Sequence, residues 1–186
     1  MQSRVILDEQ QIALIIDRLC YQISETHKDF KDAVLIGVQP RGVDLAERIN
    51  TRLQQLFPAY KIPYGKLDIT FYRDDFRRSD KAFSPSVTDI QFSIEGKNVL
   101  MIDDVLFTGR TIRSALDALL DFGRPNDVEL VVLIDRRLQR HVPIQAKYIG
   151  KTIDTIVSEK VKVYWQNKDG MDKVEMISEP IQNNDN

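Results

Sequence analysis

Val99-Leu100-Met101-Ile102-Asp103-Asp104-Val105-Leu106-Phe107-Thr108-Gly109-Arg110-Thr111 sets the fold and the chemistry together. Val99 to Ile102 is apolar without alternation, as expected of a parallel strand buried on both faces. Asp103 and Asp104 then bring two adjacent carboxylates to the strand's carboxyl end. The Thr108-Gly109 turn feeds a helix marked by Ile112, Ala115, Leu116, Leu119 and Leu120. A helix N-terminus presents unpaired N–H groups and a partial positive charge, so it holds a phosphate well. Gly109 permits close backbone approach, and the Thr108 and Thr111 hydroxyls add donors. Two acids beside a phosphate repel it unless something lies between them. A sugar ring fits as the spacer, with its hydroxyls on the acids and its terminal phosphate on the helix, because carboxylates accept hydroxyl hydrogen bonds strongly. A single Asp or Thr is more often a solvated turn residue or a cap. Here the combination outweighs that reading.

Working outward, Ala33 to Val38 and Leu130 to Ile134 repeat the buried-strand pattern, and Val161 to Trp165 and Val174 to Ile177 are further strand candidates. Asp8 with Gln11 resembles a capping box ahead of Ile12, Ile15, Ile16, Leu19 and Ile23. Leu45, Ala46, Ile49, Leu53 and Leu56 mark a second helix, and Gly123 with Pro125 supplies the stop for the third. Lys66 to Tyr72 alternates and reads as a half-buried strand. Arg73 to Lys97 loses periodicity and is expected to be a mobile insertion over a site. Alternating strands and helices predict an α/β fold with a central, mostly parallel sheet whose ligands bind at the strands' carboxyl ends. The loops after Val38, Ile102 and Ile134 should then line one rim.

With 186 residues, 42% of them apolar, the chain suits one domain over 1–178, followed by a disordered polar tail at 179–186. The net charge of −2 gives no global basic field, so charge alone neither supports nor excludes RNA. Cys20, the one cysteine, excludes an internal disulfide and reads as a small buried residue in a reduced, cytoplasmic protein. No apolar run is long enough for a bilayer span. Val43 stands where a P-loop needs Lys, and no Gly-x-Gly-x-x-Gly occurs. His27 and His141 lack metal-ligand spacing and read as surface residues.

The Asp103 to Thr111 stretch resembles the 5-phosphoribosyl-1-pyrophosphate (PRPP) fingerprint of type I phosphoribosyltransferases. Asp68 to Asp75, Gly123-Arg124-Pro125, Asp135-Arg136 and Tyr148 to Lys151 further resemble the PyrR family of pyrimidine-operon attenuators and uracil phosphoribosyltransferases. That resemblance implies transfer of ribose 5-phosphate from PRPP to uracil, giving UMP and pyrophosphate. Mg²⁺ would be carried mainly on the diphosphate, with help from Asp103 and Asp104. The resemblance assigns the protein no metal site of its own beyond that help.

Asp103 and Asp104 would take the ribose hydroxyls and stabilise the oxocarbenium-like ring. Val105, Leu106, Phe107, Thr108, Gly109, Arg110 and Thr111 would hold the 5-phosphate. Pro40 and Arg41 fall in the pyrophosphate loop, where Arg41 would clamp the leaving group. Arg41 on its own reads equally as an exposed residue. Arg73, in a flexible hood, is a further pyrophosphate contact, and Arg136 with the backbone near Val161 would hold the base. The chain departs from the family pattern at Gln39-Pro40, whose peptide is expected to be cis.

For an operon leader RNA, the resemblance points to Arg18, Arg137, Arg140 and Lys151, which read equally as a solvated basic rim. Family likeness implies a homodimer or higher homo-oligomer. Competing readings are an RNA-binding attenuator that senses UMP with weak or no catalysis, and a purine phosphoribosyltransferase. The Asp68 to Asp75 and Tyr148 to Lys151 matches favour the pyrimidine family.

Overall fold

The computed structural model describes residues 2–73, 85–155 and 159–178. Its centre is a parallel sheet of five strands in the order β3-β2-β4-β5-β6. These are β2 (Ala33–Val38), β3 (Tyr64–Leu67), β4 (Asn98–Leu106), β5 (Asp127–Arg136) and β6 (Tyr148–Ile153). Every residue of β2 is buried, as its uninterrupted apolar run requires. One face carries Leu35, Leu100, Ile102, Val131 and Leu133 against α1 (Glu9–His27) and α2 (Gly42–Leu56). The other carries Val34, Ile36, Val99, Met101 and Val132 against α3 (Arg110–Leu119). A smaller antiparallel sheet, β1 (Gln2–Leu7), β8 (Lys173–Ser178) and β7 (Glu159–Tyr164), adds Leu7, Val163 and Val174 to the α1–α2 core.

Local signals are realised closely. The Asp8 carboxylate accepts the Gln11 N–H at 2.8 Å and the Gln11 amide oxygen accepts the Asp8 N–H at 3.1 Å, which completes the capping box of α1. Gly123 has φ of 131° and ends the turn that follows α3. The Gln39-Pro40 peptide is cis.

Four expectations are corrected. The strand begun at Lys66 stops at Leu67, because the Asp68 carboxylate takes the Thr70 N–H and hydroxyl and the Ser86 N–H, bending the chain into a 3₁₀ turn at Thr70–Tyr72. Residues 85–97 pack on the fold: Lys66 and Asp89 exchange backbone hydrogen bonds, Ile94 is fully buried, and Ile90 and Phe92 lie against the α3-side core. Residues 74–84 of the expected insertion lie outside the described residues, as do 179–186 of the expected tail. β4 continues through Asp103 and Asp104 to Leu106, so the acids belong to the strand and not to a turn after it. The His27 side chain is buried, with Nε2 2.8 Å from Glu129, whose carboxylate also accepts from Tyr148 at 2.9 Å and from Lys147. Those donors hold the Glu129 carboxyl below its ordinary range against the opposing pull of burial. Cys20 is fully buried, which pushes its thiol up to about 12.

Candidate functional site

The carboxyl ends of β2, β4 and β5 deliver Gln39–Arg41, Asp103–Thr108 and Asp135–Arg136 to one rim. Parallel pairing of Gly37 with Ile102 and of Leu106 with Asp135 fixes their levels. Gly42 lets α2 start close to β4: a Cβ there would stand 2.4 Å from the Ile102 carbonyl oxygen and 2.8 Å from the Asp103 Cα. Arg41, just before that helix, donates through Nη1 to the Val163 carbonyl at 2.7 Å.

Asp103 and Asp104 are only 6% and 7% exposed. The Asp104 N–H donates to Asp103 Oδ1 at 2.9 Å. Burial first, then the neighbouring Asp104 charge, holds the Asp103 carboxyl well above its ordinary value. Burial also raises Asp104, to about 6, against the opposing pull of the Arg41 guanidinium and with a push from Asp44 in α2. Both acids are therefore biased towards their protonated forms, and a positive charge beside them would favour ionisation. The sequence reading placed these acids at the rim without giving their burial. They are buried because Gly42 brings α2 against β4 at this point.

Beyond them, Gly109 has φ of 87° and leads into α3, whose first turn supplies the amide-rich end expected for a phosphate. The Thr108 carbonyl accepts the His141 and Val142 N–H groups at 2.9 and 3.1 Å, and the Thr108 hydroxyl accepts the Arg110 N–H at 3.4 Å. Arg140 donates to the Phe107 carbonyl and, at 2.5 Å, to Asp135. Segment 140–144 is thus the outer wall of the Val105 to Thr111 loop. Thr111 is half-buried at the start of α3, and Arg73 follows the 3₁₀ turn that packs against α3.

Arg136 is 5% exposed and donates to the Thr155 hydroxyl and to the Glu159 carbonyl, both at 2.8 Å, two residues from Val161 in β7. Its guanidinium lies over the Phe107 ring at 3.8 Å. The fold therefore brings Arg41, Asp103, Asp104, Phe107, Arg136 and β7 together.

The four basic residues proposed for RNA are divided. Arg18 donates to the Ile149 and Gly150 carbonyls of β6, at 3.1 and 2.5 Å, and Lys151 follows on that strand, exposed. Arg137, 60% exposed, makes a two-point pair with Asp154 at 2.7 and 2.8 Å. Arg140 instead serves the loop at Phe107. Sequence reading missed that role because nothing local to Arg140 marks a partner 33 residues away. Among the described residues no group of three or more His, Cys, Asp or Glu could hold a metal by itself, and no helix is long and apolar enough to cross a membrane.

Residues 3–168 match the phosphoribosyl transferase domain family. A protein of Ligilactobacillus salivarius described as "Bifunctional protein PyrR" is 47% identical over 176 residues, covering 94% of this chain and 98% of that protein. Its namesake from Actinobacillus pleuropneumoniae is 46% identical, with 94% and 97% covered. Among solved structures, a hypoxanthine phosphoribosyltransferase of Staphylococcus aureus superposes with a TM-score of 0.71 at 24% identity, covering 95% of this chain and 93% of that one. At that identity the likeness establishes the fold alone. A buried acid pair ahead of a phosphate-ready helix, matched across nearly the whole chain, leaves one assignment: the chain belongs to the PyrR family of phosphoribosyltransferases.

Proposed function

We propose that the protein transfers ribose 5-phosphate from PRPP to uracil, giving UMP and pyrophosphate. The observation that carries this reading is the buried Asp103–Asp104 pair one loop ahead of the α3 N-terminus, with the Arg41 charge acting on Asp104. Asp103 and Asp104 take the ribose hydroxyls and face the positive charge that grows on the ring as pyrophosphate leaves. Val105 to Thr111 holds the 5-phosphate by backbone N–H groups, and Pro40, Arg41 and Arg73 belong to the leaving-group side. Uracil sits beside Arg136, Phe107 and the Val161 backbone. The 3.8 Å Arg136–Phe107 stack is one van der Waals contact thick, so the base lies against the edge of that stack.

Mg²⁺ suits this donor set as an ion held chiefly by the diphosphate, since a hard cation takes oxygen ligands and Asp103 and Asp104 are two adjacent carboxylates. When bound, it neutralises charge on the diphosphate. The finer assignments follow the same reading: a cytoplasmic protein, residues 1–178 as one domain, and a homodimer or larger homo-oligomer.

Pyrophosphate release from Mg-PRPP tests the base directly. Uracil should support turnover and hypoxanthine and orotate should not; turnover with hypoxanthine alone would replace this reading with a purine enzyme. The rate should rise through an acid limb near pH 6 as Asp104 loses its proton, and a rate flat from pH 5 to 8 would remove the ionised acid from the mechanism. Arg140→Gln should raise KM for PRPP about tenfold by releasing the Phe107 carbonyl, with a smaller rise in KM for uracil, whose site shares the Phe107 ring. Equal shifts in both KM values would contradict a role confined to the phosphate loop.

The second activity proposed is UMP-responsive binding of the operon leader RNA, supported by family membership and by Arg18, Lys151 and Arg137 lying along β6 and its continuation. Filter binding with and without UMP tests it. Binding should weaken steeply as salt rises, and RNA retention indifferent to UMP would count against regulation.

A further inference from the structure

We infer that Lys168 is a positioning residue for the leaving-group loop, acting through the buried carboxylate of Asp44; the inference rests on the phosphoribosyl-transfer reading. Lys168 lies in α4 (Gln166–Asp169), the short helical turn between β7 and β8. Its ammonium donates to Asp44 Oδ2 at 2.7 Å and reaches the Pro40 carbonyl at 3.3 Å. The neighbouring Asn167 amide donates to Asp44 Oδ1 at 3.0 Å. Asp44 is 3% exposed at its side chain and Lys168 is 50% exposed, so the carboxylate depends on these two donors.

Asp44 is bound into the same loop, its N–H donating to the Arg41 carbonyl at 3.2 Å in the first turn of α2. It is a third acid, which pushes Asp104 towards its protonated form. Where a diphosphate must settle, an uncompensated third carboxylate opposes binding. Lys168 cancels that charge and ties the Pro40 carbonyl to the hairpin in one contact.

A separate attachment keeps the hairpin in place. Arg48, one turn further along α2, makes a two-point pair with Asp172 at 2.8 Å and lies over the Trp165 ring at 4.8 Å. Asp172 also accepts the Gln166 N–H at 2.7 Å, and Asp169 the Trp165 N–H at 2.9 Å. Arg48 therefore fastens the hairpin, and Lys168 sets the charge and posture of the loop.

The test is calorimetric titration of Mg-PRPP beside steady-state kinetics, with thermal melting to confirm folding. Lys168→Met should raise Kd and KM for PRPP about tenfold, with kcat within about twofold and KM for uracil unchanged. Lys168→Arg should restore most of the loss, since a guanidinium reaches the same acceptors. Asp44→Asn added to Lys168→Met should recover part of it by removing the stranded charge. Lys173→Met, on the same hairpin but paired with Glu175, should leave PRPP binding unchanged. Should Lys168→Met not fold, Asn167→Ala carries the measurement with the same sign and a smaller loss.

Wild-type PRPP affinity in folded Lys168→Met, an equal loss in Lys173→Met, or no rescue by Arg would overturn the inference. Wild-type protein that binds PRPP but leaves uracil untouched would remove the uracil reading, while the binding comparison still decides the role of Lys168. Wild-type protein that fails to bind PRPP would overturn both.

Discussion

Replacing Asp104 by Asn is expected to slow phosphoribosyl transfer about 10²–10³-fold, the usual effect of removing one preorganised charge-stabilising group, while making the fold more stable at neutral pH. The two effects share one cause. Burial raises the Asp104 carboxyl from 3.8 to about 6, so the folded protein holds its proton more tightly than the unfolded chain does. That advantage is complete below the unfolded value and is lost as pH rises from about 4 to about 6, after which the ionised carboxylate weighs against folding. Asn keeps the shape and removes the titration. Melting temperatures of the variant should therefore vary less between pH 4 and 6 and exceed wild type at pH 7. Single-turnover rates and melting curves check both halves; wild-type turnover in Asp104→Asn would take the acid out of the mechanism.

Gly42→Ala is expected to damage stability and turnover together. The new methyl carbon would stand 2.4 Å from the Ile102 carbonyl oxygen and 2.8 Å from the Asp103 Cα, so backbone must move to admit it. Overpacking of this kind costs about 3 kcal/mol, which for a chain of this size lowers the melting temperature by roughly 6–12 °C. The displaced atoms belong to Asp103 and to the helix that follows Arg41. A shift of about 1 Å in positioning groups can lower rates about 10²-fold. A melt and a rate both equal to wild type would show that α2 slides without consequence.

The sequence made the buried strands and the first helix legible because their signals are local: apolar runs in β2, β4 and β5, and Asp8 with Gln11 at the head of α1. β1 is not legible, since it is a strand only by pairing with β8 more than 160 positions on, and β6 lacks an uninterrupted apolar run because it is an edge strand paired with β5 alone. Residues 85–97 carry an alternation at Ile90, Phe92 and Ile94 that the charged cluster from Arg73 to Lys81 masks in the sequence.

In the site, the acids and the Thr-Gly turn could be read from residue type and order. Arg140 and Lys168 could not, because each finds its partner across the fold, Lys168 reaching Pro40 over 128 positions. His27 looked like a surface residue until Glu129 arrived from β5 to bury it.

The carbonyls of β7 accept from two of the site's guanidinium groups, Val163 from Arg41 and Glu159 from Arg136. One edge strand is therefore a shared latch for the phosphate-side and base-side cations. Lifting it would release both at once, so on the proposed reading a ligand that steadies one end should steady the other. Deuterium uptake along that strand would slow at both its ends when only one half of the pocket is filled.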